Sequence, residues 1–194
     1  MSTNSQNYDQ SSSTKLRTFR LHRGVMGSIE AEAQTRGLSV NALVNSILSK
    51  YANWERFADQ FRFIPLTDDL LRAALNQLSD EDVAHITKTL GGHVVNEGMA
   101  FWKKETDLDG LVTYLANRCR YAGYGNLAYE TKGKNHRLVI EHNLGHKWSI
   151  YLKHTLDDTF RKKLGVVAQF ELSNSEITVR FKESQIVRGL EQSG

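Results

Sequence analysis

Hydrophobic and polar residues change their spacing near residue 24, and this change predicts the first elements of the chain. Over residues 18–22 the two kinds alternate, with Phe19 and Leu21 on one side, as in a strand that buries one face. The polar set on the other side is Thr18, Arg20 and His22. Such a short strand is unstable alone, and the pattern does not recur in the chain, so we expect its partner strand to come from a second subunit.

Two helices are predicted directly after this strand. Val25, Ile29 and Ala33 recur every four residues, as on the buried face of a helix. Gly37 is placed to end that helix in a left-handed cap, and Ser39 is placed to cap the next one. The second helix carries a broader apolar stripe, made of Val40, Leu43, Val44, Ile47, Leu48 and Tyr51.

Three features of this region occur together: the strand at 18–22, the break at Gly37, and the run Gly37-Leu38-Ser39-Val40-Asn41. In this combination the region, about a fifth of the chain, resembles the ribbon-helix-helix family of DNA-binding proteins, of the Arc and MetJ type. The resemblance implies an intertwined dimer. Two strands, one from each subunit, would pair antiparallel and enter the major groove of DNA.

The resemblance also implies roles for individual residues. Side chains on the outward face of the strand would contact base edges, and these are Thr18, Arg20 and His22. Phosphates would be held by basic side chains beside the strand and by the free amides that open the second helix. That set is Lys15, Arg23, Ser39, Val40 and Asn41. The dimer core would hold Phe19, Leu21, Leu43, Val44 and Ile47.

The residues before the strand do not continue its pattern. Leu16 lies on the outward, base-facing parity and Arg17 on the inward one, so the strand is expected to start at Thr18. Residues 1–14 are polar and rich in serine, and they bury too little apolar surface to offset the entropy of ordering. We therefore expect a disordered arm at 1–14.

Positive charge is concentrated around the predicted strand and helices. Residues 15–53 hold six Lys or Arg residues and two Glu residues, which gives a net charge of +4. Because the whole chain of 194 residues carries +3, the remainder is close to neutral, at −1. Such a basic region is the expected footprint of a phosphate-binding face, although a short basic stretch can equally be a solvated surface.

A second domain is predicted after a helical linker. The linker, residues 54–65, has apolar residues at helical spacing and ends at Pro65, the only proline. Residues 66–182 are predicted to form three helices and then a β-β-α-β-β arrangement. This is an α+β domain with a four-stranded antiparallel sheet and helices on one face, suited to effector binding or oligomerisation. Residues 183–194 are expected to form a polar tail.

Start signals support the helices of this second domain. Thr67 and Ser79 are predicted N-caps, and a further helix is expected to begin at Thr106 or Asp107. Acidic residues that follow Thr67 and Ser79 complement the helix dipole, which is a simpler interpretation than acid–base chemistry. Residues 93–104 are also predicted to be helical.

Candidate chemistry in the second domain is sparse. His142 and His146 are weak metal-ligand candidates, because two imidazoles can share one ion, yet no further ligand motif supports them. Cys119, the only cysteine, lies between two arginines that would lower its pKa, but on an apolar helical stripe it is more simply a buried side chain. We expect no catalytic residue, no cofactor and no bound metal, and hence no enzyme.

The stretch His142-Asn143-Leu144-Gly145-His146-Lys147-Trp148-Ser149 is similar to archaeal regulators that join a ribbon-helix-helix to a C-terminal domain of unknown role. The predicted function is a homodimeric, sequence-specific DNA-binding transcriptional regulator, alone or in a larger oligomer, whose C-terminal domain senses an unidentified effector or drives assembly. An antitoxin-like protein-interaction module, in which the ribbon-helix-helix only dimerises, is the alternative. With no long apolar run, no apolar leader and one cysteine, a cytoplasmic location without membrane contact is expected.

Overall fold

The computed structural model describes residues 15–59, 63–91 and 107–182, and it divides into two compact units. The first unit ends at Ser49 and the second begins at Lys50. The predicted first domain extended to residue 53, four residues further, and the predicted linker followed it at 54–65.

Two helices joined by a tight turn make up most of the described part of the first unit. α1 spans Arg23–Thr35 and α2 spans Val40–Lys50. Gly37 has a φ of +64°, in the left-handed region that glycine adopts without strain. The amide of Leu38 donates to the carbonyl of Ala33 at 2.9 Å, which closes α1 in a Schellman cap. The predicted helix end at Gly37 is confirmed.

α2 begins where its N-cap was predicted. The Oγ atom of Ser39 accepts a hydrogen bond from the amide of Ala42 at 3.1 Å, and this satisfies one of the free amides of the first turn. The turn and both helices are therefore specified by short-range signals in the sequence.

The segment before α1 has no assigned strand. Residues 15–22 are exposed and lack regular secondary structure, although His22 has extended backbone angles (φ −60°, ψ 140°). The strand predicted at 18–22 is not confirmed in the single chain, because the described part of this unit offers no second strand to complete a ladder. α1 also starts slightly earlier than predicted, since it includes Arg23 and Gly24.

A π-helical segment opens the second unit. It spans Tyr51–Glu55 and leads into α3, Arg56–Ala58. Trp54 stacks on Phe63, with ring centroids 5.6 Å apart and an angle of 11° between the rings. Of the predicted helical linker, residues 54–59 are helical and residues 63–65 lack regular secondary structure. Its aromatic residue Trp54 is packed in the second unit.

Three short helical elements follow: α4 (Asp68–Asn76), α5 (Asp80–Ile86) and a π-helical turn (Thr87–Gly91). The Oγ1 atom of Thr67 accepts from the amide of Leu70 at 3.4 Å. Ser79 and Asp82 form a capping box, in which each side chain accepts from the other residue's amide at 3.0 Å. Both predicted N-caps are confirmed. The helix predicted over 93–104 lies outside the described residues.

The remaining elements are α6 (Leu108–Ala122), β1 (Asn126–Lys132), β2 (Asn135–Glu141), α7 (His146–Leu164), β3 (Gln169–Leu172) and β4 (Glu176–Lys182). Asp107 caps α6, as predicted, by accepting from the amide of Gly110 at 2.8 Å. All paired strands are antiparallel, and their spatial order is β1-β2-β4-β3. The α+β class and the β-β-α-β-β order are therefore confirmed.

One face of the sheet packs against α6 and α7. The central strands β2 and β4 contribute side chains that are almost fully buried, namely Leu138, Ile140, Ile177, Val179 and Phe181. Leu152, Leu156 and Phe160 of α7 and Leu111 and Leu115 of α6 complete the same cluster. This apolar layer is the core of the second unit.

The opposite face of the sheet is charged. Arg137 on β2 lies directly opposite Arg180 on β4. Each pairs with a glutamate on its outer neighbour: Arg137 with Glu130 at 3.5 Å, and Arg180 with Glu171. These pairs offset the repulsion between like charges on adjacent strands.

α7, with 19 residues, is the longest helix that the structure describes. Its last turn is basic, with Arg161, Lys162 and Lys163, which suits the negative end of the helix dipole. Neither α7 nor any other described helix has the length and apolar character needed to cross a membrane.

Gly125, just before β1, allows a test of the backbone packing. Its φ is +130°, and a Cβ atom there would lie 2.0 Å from the carbonyl oxygen of Glu141. Gly133, in the β1–β2 turn, has a φ of +60° but open space around its Cβ position. In urea unfolding, Gly133→Ala is expected to cost about 1–2 kcal/mol for its left-handed backbone, and Gly125→Ala distinctly more. Equal losses would contradict the close backbone approach.

Candidate functional site

A short basic segment precedes α1. Residues 15–23 contain four Lys or Arg residues and no acidic residue, and all of their side chains are exposed. In the described part of the chain, none of these four cations forms an ion pair. Their charge is therefore available to a polyanion, and release of counterions from DNA would favour that contact.

Both faces of the predicted strand are exposed in the single chain. The predicted base contacts Thr18, Arg20 and His22 are accessible, as a reading surface requires. The predicted dimer contacts Phe19 and Leu21 are also accessible, at 69% and 51% exposure. Covering such apolar surface would gain roughly 25 cal/mol per Å².

The first turn of α2 lies where a phosphate contact was predicted. It contains no acidic residue, so the positive end of the helix dipole is not neutralised there. The Ser39 hydroxyl already accepts from Ala42, which leaves the amides of Val40 and Asn41 as the more accessible donors. The predicted side-chain contacts Lys15 and Arg23 lie at the two ends of the basic segment.

The residues predicted to form the dimer core differ in how far they are buried in the single chain. Leu43 is already buried within the first unit, together with Ala33, so its packing is intramolecular. Val44 is half-buried, and Ile47 is 46% exposed. In the described part of this unit, large apolar side chains that are exposed but lie outside the predicted set are Leu16, Val25, Leu38 and Leu48. For Val25 and Leu48 the helical spacing in the sequence was a usable signal. The apolar surface open to a partner is thus larger than the sequence indicated.

His142 holds three elements together. Its Nε2 atom lies 2.8 Å from the Oγ atom of Ser149 on α7, and that hydroxyl donates to the carbonyl of Ser173 at 2.7 Å. The Nδ1 atom accepts from the amide of Leu144 at 3.4 Å. Both ring nitrogens are occupied, and burial lowers the pKa of His142, so the ring is a neutral structural link rather than an open metal ligand.

The structure gives no support for a metal site at His146 or for a reactive thiol at Cys119. Within the described ranges, no cluster of three or more His, Cys, Asp or Glu side chains suits a metal ion, so His146 has no ligand set around it. Burial raises the pKa of the Cys119 thiol to about 12, an effect larger than the opposing charge of Arg118. Cys119 is therefore a buried, unreactive side chain, as the apolar stripe indicated.

A cleft of about 410 Å³ lies beside His142. Its lining residues are Asp68, Cys119, Gly123, Gly125, Asn126, Glu141, His142 and Asn143. The Nδ2 atom of Asn143 donates to Asp68 at 3.1 Å. None of the described buried polar atoms that lack a partner belongs to this lining, so no buried unsatisfied group marks the cleft as a ligand site.

Arg118 is a charged side chain inside the core, whereas from the sequence it was considered only as one of the two arginines beside Cys119. It is 5% exposed, and its guanidinium packs among aromatic rings and donates to the hydroxyl of Tyr124. A usable signal was present, because Arg118 follows Leu111 and Leu115 at the seven- and three-residue spacing of a buried helical face. Two of its three nitrogens have no hydrogen-bond partner among the described residues.

The neutral His142 link makes stability depend on pH. Because the folded protein resists protonation that the unfolded chain accepts, stability is full above about pH 6.5 and falls as the pH drops below it. His154, whose pKa is lowered by burial and by Lys153, contributes in the same direction but is less enclosed. Melting temperatures at pH 7.5 and 5.5 are expected to differ less in His142→Gln than in wild type or in His154→Gln. If the difference between the two melting temperatures were reduced more in His154→Gln than in His142→Gln, this role of His142 would be contradicted.

Comparison with known proteins does not identify a family for this chain. No model of a known protein family matches it, and no curated protein is significantly similar to it. Its function must therefore be inferred from its own residues and their geometry.

Proposed function

We propose that this protein is a homodimeric, sequence-specific DNA-binding transcriptional regulator of the ribbon-helix-helix type. The observation that carries the proposal is the segment 15–22, which leads directly into two capped helices. The segment is basic, alternates apolar and polar residues over 18–22, has extended backbone angles at His22 and has no partner strand among the described residues. A second copy of the same segment would complete a two-stranded ribbon. The second unit would sense an effector or support assembly.

The unmet apolar surface supports a dimer. Within the described part of the first unit, Ala33 and Leu43 are the only fully buried hydrophobic residues, which is too little for a stable unit of its own. Phe19, Leu21 and Ile47 remain exposed, and they are the residues that an intertwined partner would cover. The proposed dimer thus supplies both the missing strand and the missing core.

The polar face of the ribbon would then read DNA. Arg20 can form two hydrogen bonds with a guanine, worth about 1–3 kcal/mol of discrimination between bases. Thr18 and His22 would contact neighbouring base pairs. Lys15, Arg23 and the amides of α2 would fix the position of the ribbon on the phosphates without reading sequence.

Dimerisation through the ribbon predicts opposite results for two leucines in the same segment. Leu21→Asp places a charge in the proposed dimer core and is expected to shift the protein to monomer in sedimentation velocity. Leu16→Asp changes a leucine on the opposite parity that is more exposed, at 91% against 51% for Leu21, and should leave the dimer intact. Loss of the dimer in both variants, or in neither, would contradict the proposed pairing.

Base recognition by Arg20 can be tested by fluorescence anisotropy on random and genomic duplexes across a salt series. Wild type should show a steep salt dependence and a sequence preference, and Arg20→Ala should lose most of that preference, about 10-fold or more, while remaining dimeric.

The matched control is Arg36→Ala. Arg36 is an exposed arginine of the same unit, already paired with Glu32 at 2.6 Å, so its loss should weaken binding slightly and leave the preference unchanged. A steep salt dependence without any sequence preference would instead indicate an architectural binder. Failure of wild type to bind at low salt would overturn the proposal and favour a protein-interaction module.

A further inference from the structure

We propose that Arg118 is the recognition group of a binding site for a small planar carboxylate. Arg118 is 5% exposed, and among the residues that the structure describes its Nε and Nη1 atoms have no hydrogen-bond partner and no carboxylate pairs with it. Arginine stays protonated in proteins, and a buried charge without a counter-charge is costly. An anionic ligand would remove that cost. Its role as an effector rests on the proposed function, whereas the binding itself does not.

The polar atoms near this guanidinium are rich in donors and poor in acceptors. Arg118 donates to the hydroxyl of Tyr124, which lies 3.4 Å from the hydroxyl of Tyr151. One of those hydroxyls donates to the other, so one hydroxyl hydrogen remains, together with the N–H groups of Nε and Nη1. Burial raises the pKa of Tyr151 above its usual value, so it keeps its proton. A carboxylate supplies the acceptor atoms and the negative charge at once.

The walls of the site are flat. The guanidinium carbon lies 4.1 Å from the ring centroid of Tyr124, 4.9 Å from that of Phe63 and 5.6 Å from that of Trp54. These rings attract the cation, but they do not replace directed hydrogen bonds. A ligand with an aryl ring beside its carboxylate would stack on them while the carboxylate meets the guanidinium. Phe63 is 39% exposed, so the ligand would enter on that side.

A purely structural Arg118 predicts a different stability. If its contacts with the rings were its whole purpose, replacing it with an apolar side chain would lower the melting temperature. If it is an uncompensated charge kept for a ligand, Arg118→Met should raise the melting temperature of the ligand-free protein, because replacing a buried charge by packed apolar groups is often stabilising.

Calorimetric titration of the full-length protein with benzoate, phenylacetate and cinnamate tests the site without DNA. At least one acid is expected to bind saturably, and its uncharged amide should bind about 10-fold more weakly or worse, the loss of one charge-assisted hydrogen bond. Arg118→Met should remove the preference for the acid. Arg118→Lys keeps the positive charge but lacks the paired N–H donors of a guanidinium, so it should weaken the preference for the acid several-fold.

Arg120→Met is the matched control, because Arg120 is an exposed arginine on the same helix that lies 5.4 Å from the ring of Tyr121. It should bind the acid like wild type. No saturable binding of any acid, equal binding of the amide, an unchanged preference in Arg118→Met, or binding of inorganic phosphate alone would each overturn the proposal. If the protein binds the acid but no DNA, the carboxylate site stands and the proposed function is overturned. If it binds DNA but none of the acids, the proposed function stands and the carboxylate site is overturned.

Discussion

The packing of α7 against the inner face of the sheet is the interaction on which the second unit depends. α7 connects β2 to β3, and because it crosses the sheet, β4 can return beside β2 and leave β3 at the edge. Phe160 and Leu152 are fully buried in that contact. The same helix carries Ser149, which holds His142 by a hydrogen bond, and Tyr151, whose hydroxyl lies beside that of Tyr124, the partner of Arg118. The polar features of the unit are therefore positioned by its apolar layer.

The first unit, in contrast, depends little on apolar packing within one chain. Its helices are well specified by caps, yet its described residues bury few apolar side chains, so propensity and capping alone hold the unit in place. Helices of this length are marginal without tertiary packing. In the proposed dimer, folding of this unit, formation of the ribbon and binding of DNA would be coupled, since each needs the same partner strand.

Local signals in the sequence predicted the parts of the fold that depend on neighbouring residues. Ser39, Ser79 and Gly37 act within one helical turn, and the hairpin strands alternate along their own length, so each could be identified without knowledge of the tertiary structure. The strand at 18–22 was identified by the same alternation. The described residues of this unit contain no second strand that could pair with it, so this prediction is not confirmed.

The role of Arg118 and that of His142 depend on residues far away in the sequence. Arg118 is enclosed by rings from residues 54, 63 and 124, and His142 is fixed by hydroxyl and carbonyl groups of residues 149 and 173. A charged or titratable side chain shows its type in the sequence but not its burial. Only its position on an apolar helical face pointed to Arg118, and no local pattern pointed to the His142 link.

The order of the strands also bears on how the protein avoids aggregation. β1 and β3 are the edge strands, and an exposed edge can recruit a strand from another molecule. β3 is only four residues long and carries Glu171, while β1 carries Glu130 and Lys132 on its open face. Short length and charge discourage edge-to-edge growth at both sides. If residues 18–22 pair with a second copy as proposed, copies of the chain would therefore associate through that segment without extending the sheet.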